Sequence, residues 1–169
     1  MTMSELLRRS LSRVRLSTAS TAETRGLAEA MARVTVAGDR IALVGPLGAG
    51  KTQFAKGFAL GLGIEDVVNS PSYTLMSEYE GRLTLFHQDL YRLAGSDEVF
   101  SGGLLDERQD EGVTLIEWAD RLDSTLDATR LTVDIEPRSE SDRDVEISGH
   151  GAMADRYLEA VRRWQAARQ

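Results

Sequence analysis

Apolar positions fall into two rhythms along the chain. Ile41 to Val44 and Val113 to Ile116 are short, nearly unbroken apolar runs, the signature of buried strands. Val14 to Ser17 predicts a short first strand. Tyr73 to Tyr79 and Leu83 to His87 predict two strands joined around Glu80-Gly81. Leu131 to Glu136 and Asp144 to Ile147 predict a closing hairpin across the polar turn from Arg138 to Arg143. The helical rhythm appears at Leu27, Ala28, Met31 and Val34, again over Thr52 to Leu62, and last at Met153, Tyr157, Val161 and Trp164. Ser20-Thr-Ala-Glu23 is a capping box ahead of the first helix, and Gly61-Leu-Gly63 ends the second in the manner of a glycine C-cap. Gly95 to Gly112 mixes acids and glycines, with a short helix expected from Ser96. No internal repeat interrupts the pattern.

The run from Ile41 leads directly into Gly45-Pro-Leu-Gly-Ala-Gly-Lys-Thr52, and the second helix leads out of it. Gly45, Gly50, Lys51 and Thr52 fill the fixed places of G-x-x-x-x-G-K-[ST], in the strand, loop, helix context that gives the motif meaning. Glycines let successive N–H groups turn inward around phosphate oxygens, and the helix dipole points the same way. Lys51 supplies a mobile charge for the β- and γ-phosphates, and the Thr52 hydroxyl suits Mg²⁺. Of 20 basic residues only Lys51 and Lys56 are lysines, so a compact ammonium is kept where a planar guanidinium would fit poorly. Nucleoside triphosphate binding follows. Parallel strands around this loop together with hairpins imply an α/β sandwich with a mixed sheet.

At 169 residues the chain suits one domain, 1–169, with 1–12 as a frayed basic extension and 150–169 as a C-terminal helix. Cysteine is absent, which excludes disulfides, zinc–thiolate sites and thiol catalysis; two histidines are too few for a histidine-built metal centre. The net charge of −7 argues against unaided binding of DNA or another long polyanion, so any nucleic-acid contact is expected to run through partners. No apolar run approaches the roughly 20 residues that span a bilayer, and a cytoplasmic location is the simplest expectation.

Two carboxylates are candidates for the second half of a nucleotide site. Asp89 is expected just after the Leu83–His87 strand, and Glu117 closes the Val113–Ile116 run. Either could hold a metal ion directly, hold it through water, or orient an attacking water. Ser70, Ser72 and Thr74 form a hydroxyl-rich loop able to sense a γ-phosphate. His87 reads as a structural histidine more readily than as a proton relay beside Asp89, and Trp118 belongs either to the core or to the site.

These pieces occur together, in this order and spacing, in one known family. Gly45 to Thr52, Ser70-Pro-Ser-Tyr-Thr-Leu75, His87-Gln-Asp-Leu-Tyr-Arg92 and Ile116-Glu-Trp118 resemble the TsaE (formerly YjeE) family from about Ser20 to Ile147. The resemblance implies a single-domain, P-loop NTPase-like three-layer sandwich. It also implies an ATPase needed for threonylcarbamoyladenosine in tRNAs reading ANN codons, acting on a complex of TsaB and TsaD with ATP and Mg²⁺. By that resemblance Leu47, Gly48, Ala49, Gly50, Lys51 and Thr52 would hold phosphates, with Gln53 and Trp118 beside the nucleotide. Thr52, Asp89 and Glu117 would surround Mg²⁺, with Lys51, Asp89 and Glu117 as the catalytic set. Thr21 and Arg143 match looser nucleotide contacts. The loop opens Gly-Pro where the family commonly has Gly-Asp, Gln53 replaces a second threonine, and Ser72 stands where threonine is usual.

A GTPase is excluded, because its base-reading motif needs a lysine and none lies beyond residue 56. A small-molecule kinase would bring an arginine-lined lid, and Gly95 to Gly112 offers only Arg108. A binding module gated by ATP occupancy rather than hydrolysis is the alternative of another class.

Overall fold

The computed structural model describes residue 2 and residues 11–71, 75–90, 107–117 and 130–168. In chain order these form β1 (Leu11–Thr18), α1 (Thr21–Arg33), β2 (Arg40–Val44), α2 (Lys51–Gly61), β3 (Met76–Tyr79) and β4 (Leu85–Asp89). A short 3-10 helix (Glu107–Glu111) follows, then β5 (Val113–Glu117), β6 (Leu131–Pro137), β7 (Arg143–His150) and α3 (Gly151–Ala167). One seven-stranded sheet runs in the order β1-β7-β6-β2-β5-β4-β3. Its centre, β6-β2-β5-β4, is parallel, and both margins are antiparallel. This is the mixed α/β sheet expected from the pattern of runs and hairpins.

Alternation along the strands decides what each face carries. Ile41, Leu43, Leu85, Leu115, Val133 and Ile147 pack with Leu27, Met31, Phe54, Phe58 and Tyr157 from the three helices in one core. On the opposite face Ala42, Phe86 and Ile116 are buried as well. Central strands covered on both sides are what a three-layer sandwich requires.

The ends of the helices explain how α2 is aimed. Ser20 Oγ accepts the Glu23 N–H at 3.1 Å, and Glu23 Oε2 accepts the N–H of Ala19 at 2.7 Å, so the box closes one residue earlier than its usual partner. At the far end of α2, Ile64 N–H donates to Ala59 and Gly63 N–H to Leu60, with Gly63 at φ 74°. That double bond around a left-handed glycine is a Schellman stop. Gly61 instead serves helix packing, since a Cβ there would lie 2.6 Å from Ala32 Cβ on α1. Gly57, one turn earlier, lies equally close, with Arg25 Cα 2.6 Å from its would-be Cβ. Two glycines on one face thus let α1 and α2 touch backbone to backbone.

Several boundaries differ from the sequence expectation. β1 begins at Leu11 and pairs with β7 along its whole length, from Leu11 opposite His150 to Thr18 opposite Arg143. Leu11 and Ser12 therefore belong to the sheet and not to a frayed extension. Arg13 and Arg15 reach Glu146 across the ladder, so charge alternation, invisible to an apolar count, lengthens the strand. β3 begins at Met76, later than Tyr73, and Asp89 is the last residue of β4 rather than the residue after it. Arg143 opens β7 instead of ending the turn. The helix expected from Ser96 lies outside the described residues.

Candidate functional site

Between β2 and α2 the chain turns through Gly45 to Gly50. Gly45 has φ 149°, and a Cβ there would run into the Ile135 carbonyl of β6 and lie 3.1 Å from Ala49 Cβ. Gly50, at φ 107°, is the N-cap of α2 and offers no side-chain cap. The first-turn N–H groups of α2 are left for something other than a side chain. Lys51 is buried, and its ammonium folds back to donate to the carbonyls of Gly45 at 2.5 Å and Pro46 at 3.0 Å. Leu47, at the tip of the loop, is 79% exposed.

Arg143 braces the loop from the other side. Its Nε donates to the Ala49 carbonyl at 2.8 Å and Nη2 to Gly48 at 3.3 Å. Nη1 meanwhile reaches back to Asp142 at 2.9 Å and Ser139 at 3.0 Å in the β6–β7 turn. A planar guanidinium can serve both sets of carbonyls at once. The position matched only loosely from sequence is therefore in contact with the glycine loop.

Parallel pairing of β4 with β5 sets Asp89 opposite Glu117. Alternation places Leu85, His87 and Asp89, like Val113, Leu115 and Glu117, on the face toward α2. Asp89 is 4% exposed and Glu117 2%. Each carboxylate is met by a hydroxyl from the loop region: Thr52 Oγ1 donates to Glu117 Oε1 at 3.2 Å, and Ser70 Oγ donates to Asp89 Oδ2. The other Glu117 oxygen, Oε2, lies 2.6 Å from His87 Nε2. A hydroxyl and two buried carboxylates beside the glycine loop are hard oxygen donors of the kind that could take Mg²⁺.

Asp89 also receives the loop that carries the hydroxyls. Its N–H donates to the Leu75 carbonyl at 3.0 Å, and the Leu75 N–H donates to Pro71 at 2.8 Å. Leu75 has φ 67°, a left-handed conformation that costs a branched side chain about 1–2 kcal/mol. Both described ends of the Ser70–Leu75 loop therefore meet at Asp89.

The remaining candidates divide. Gln53 turns sideways, its amide oxygen taking Arg25 Nε at 2.9 Å and Nη2 at 2.5 Å. Thr21 stands exposed at the start of α1, one turn before Arg25. Trp118, Ser72 and Thr74 lie outside the described residues. Sequence reasoning did not single out Arg25, and it read His87 as a structural histidine before a relay beside Asp89; the structure pairs it with Glu117. The side-chain alternation of β4 was readable; the register against β5 was not.

A buried strand, a glycine loop and a helix at the centre of a parallel sheet define a P-loop α/β fold. Residues 18–145 match the family model described as threonylcarbamoyl adenosine biosynthesis protein TsaE. The chain is similar to the tRNA threonylcarbamoyladenosine biosynthesis protein TsaE of Bacillus subtilis (strain 168), 39% identical over 142 residues, 83% of this chain and 89% of that protein. The TsaE of Treponema pallidum (strain Nichols) is 40% identical over 116 residues, 69% of this chain and 86% of that protein. The crystal structure of Bacillus subtilis YdiB superposes with a TM-score of 0.69 at 32% identity, covering 94% of this chain and 98% of that one. The chain belongs to the TsaE family. Among the described residues no helix is long and apolar enough to cross a membrane.

Proposed function

We propose that this chain is the ATP-binding, ATP-hydrolysing component of tRNA threonylcarbamoyladenosine biosynthesis, acting in the cytoplasm on a TsaB–TsaD complex that serves tRNAs reading ANN codons. Family membership supports the pathway. The observation that carries the chemistry is the meeting of Thr52 with Glu117, and of Asp89 beside them, below the glycine loop. Among the described residues no group of three or more His, Cys, Asp or Glu forms a metal cage. Mg²⁺ is commonly held by one or two carboxylates, water and substrate phosphate. Thr52, Asp89 and Glu117 would be its protein ligands, and the ion would neutralise charge on the β- and γ-oxygens.

The chain's own residues divide the remaining work. The loop amides from Leu47 to Thr52 bind the phosphates, and Gln53 continues that wall from the first turn of α2. Lys51 leaves the Gly45 and Pro46 carbonyls to meet the γ-phosphate. Arg143 keeps the loop fixed against the β6–β7 turn, and Thr21 and Trp118 complete the nucleotide site. Glu117 or Asp89 orients the attacking water. Isolated turnover is expected to be slow, because Arg143 is already committed to backbone carbonyls.

Phosphate release measured with and without purified TsaB–TsaD tests this. Native protein is expected to be slow alone and faster with the complex, and Glu117→Ala to lose about 10²-fold. Undiminished hydrolysis by Glu117→Ala would remove the catalytic assignment. A second reading, in which ATP occupancy alone gates the partner, is favoured by the way Asp89 holds both ends of the Ser70–Leu75 loop. Full tRNA modification supported by a hydrolysis-dead Glu117→Ala would select it.

A further inference from the structure

We propose that His87 is a positioning residue that fixes the orientation of Glu117, and so presets the magnesium-binding half of the site; the inference rests on the metal–nucleotide reading above. His87 is fully buried on β4. Its Nε2 lies 2.6 Å from Glu117 Oε2, while Nδ1 is buried with no hydrogen-bond partner. Oε1 of the same carboxylate receives Thr52. The two oxygens of Glu117 are thus divided between a rigid ring on the neighbouring strand β4 and a hydroxyl in the first turn of α2.

The unpartnered nitrogen assigns the proton. With hydrogen on Nε2, the ring donates to the carboxylate, and only an acceptor is left unfilled at Nδ1. With hydrogen on Nδ1, a buried donor is orphaned and two lone pairs face each other at Nε2. Buried N–H groups without acceptors are the rarer and costlier case. The arrangement therefore selects the Nε2–H tautomer.

A glutamate has three side-chain torsions, and a carboxylate at the end of a strand would otherwise sample several of them. An imidazole anchored within the sheet removes that freedom before any ligand arrives. Outer-shell partners of this kind typically change metal affinity by about 10–100-fold when removed. On its face His87 lies between buried Leu85 and Leu115 on one side and the two carboxylates, Asp89 and Glu117, on the other.

The full chain carries two histidines, His87 and His150, so ¹⁵N-histidine NMR reads the tautomer directly, with His87→Gln assigning the signal. An Nε2–H pattern for His87 is expected, and an Nδ1–H pattern overturns the inference. A non-hydrolysable ATP analogue is then titrated with Mg²⁺ and with EDTA into native protein, His87→Leu, His87→Gln and His87→Asn. The leucine variant is expected to match native protein in EDTA and to lose about 10–100-fold of the Mg²⁺ gain. Glutamine, whose amide nitrogen falls near the position of Nε2, is expected to recover most of that gain; asparagine, which reaches only as far as Nδ1, is not. A leucine variant with the native Mg²⁺ gain, or glutamine and asparagine variants that behave alike, overturns the proposal. If the leucine variant does not fold, the glutamine–asparagine contrast and the tautomer still decide. Native protein showing analogue binding but no Mg²⁺ gain overturns the metal reading, and this inference with it.

Discussion

The Tyr157 hydroxyl donates to Asp39 Oδ2 at 2.5 Å, joining the last helix to the residue that precedes β2. Arg156 reaches the same carboxylate at 2.8 and 3.3 Å, and the Val36 N–H completes it at 3.1 Å. Asp39 thereby ties α3 to the start of the strand that delivers the glycine loop. Replacing it by alanine takes the shared carboxylate from a buried hydroxyl, which keeps Thr35, and from a half-buried guanidinium, which keeps the Val34 carbonyl. Asp39→Ala is expected to cost about 3 kcal/mol, and Tyr157→Phe about 1 kcal/mol, in urea denaturation.

Burial, then the bond to Asp39, pushes the Tyr157 hydroxyl well above the usual tyrosine range. Because the folded-state value is raised, its contribution is complete below the unfolded value of about 10 and declines as pH climbs above it. The unfolded chain releases that proton first, so stability falls with pH in this window. Tyr157→Phe is expected to flatten the loss between about pH 10 and 12 relative to native protein. Equal slopes for the two proteins would remove Tyr157 from the alkaline transition.

Much of this framework is legible in the residues. The β2–loop–α2 unit declares itself through an apolar run, glycines and a helical period, and Glu117 is marked by closing the β5 run. Other parts depend on quantities that a single strand does not carry. Asp89 faces Glu117 because of the parallel register between β4 and β5, and His87 meets Glu117 for the same reason. The contact of Arg143 with the loop needs the β6–β7 turn to overhang it. β1 outruns its apolar residues because its ladder with β7 continues opposite Ser148, Gly149 and His150. Of the two glycines at the end of α2, only Gly63 stops the helix, and the packing duty of Gly61 depends on where α1 lies.

Close approach of α1 to α2 makes Gly57 a sharp probe. In an exposed helix Gly→Ala gains about 1 kcal/mol. Here the added methyl meets the Arg25 backbone, with Cα at 2.6 Å. Gly57→Ala is expected to destabilise by about 1–3 kcal/mol through overpacking, read from the urea midpoint at unchanged slope. A stabilised variant would show that the two helices separate easily.

Arg143 bridges the hairpin turn and the loop through carbonyls on both. Arg143→Ala is expected to cost about 1–2 kcal/mol of stability and to weaken ATP binding as the loop loosens. Arg143→Lys is expected to restore little of either, because one ammonium cannot span the Ala49 and Asp142 carbonyls together. Thermal melts with and without ATP separate the two effects. Full rescue by lysine would reduce Arg143 to a surface charge.

Lys51 tests the cradle itself. In the structure its ammonium donates to two loop carbonyls, those of partly exposed Gly45 and exposed Pro46. The unliganded fold is therefore expected to lose no more than about 1 kcal/mol in Lys51→Ala. Triphosphate binding is a different matter, because the ammonium would make charge-assisted bonds there that water replaces poorly. Those are worth about 1.5–3 kcal/mol, or roughly 10–100-fold in affinity. ADP, lacking the γ-phosphate, is expected to lose less than ATP in the same titration. Arginine at 51 is expected to fail as a substitute, since its wider, planar head does not fit where the narrower Nζ folds against the loop. Unchanged ATP affinity in Lys51→Ala would mean that the glycine loop is a turn between strand and helix and nothing more.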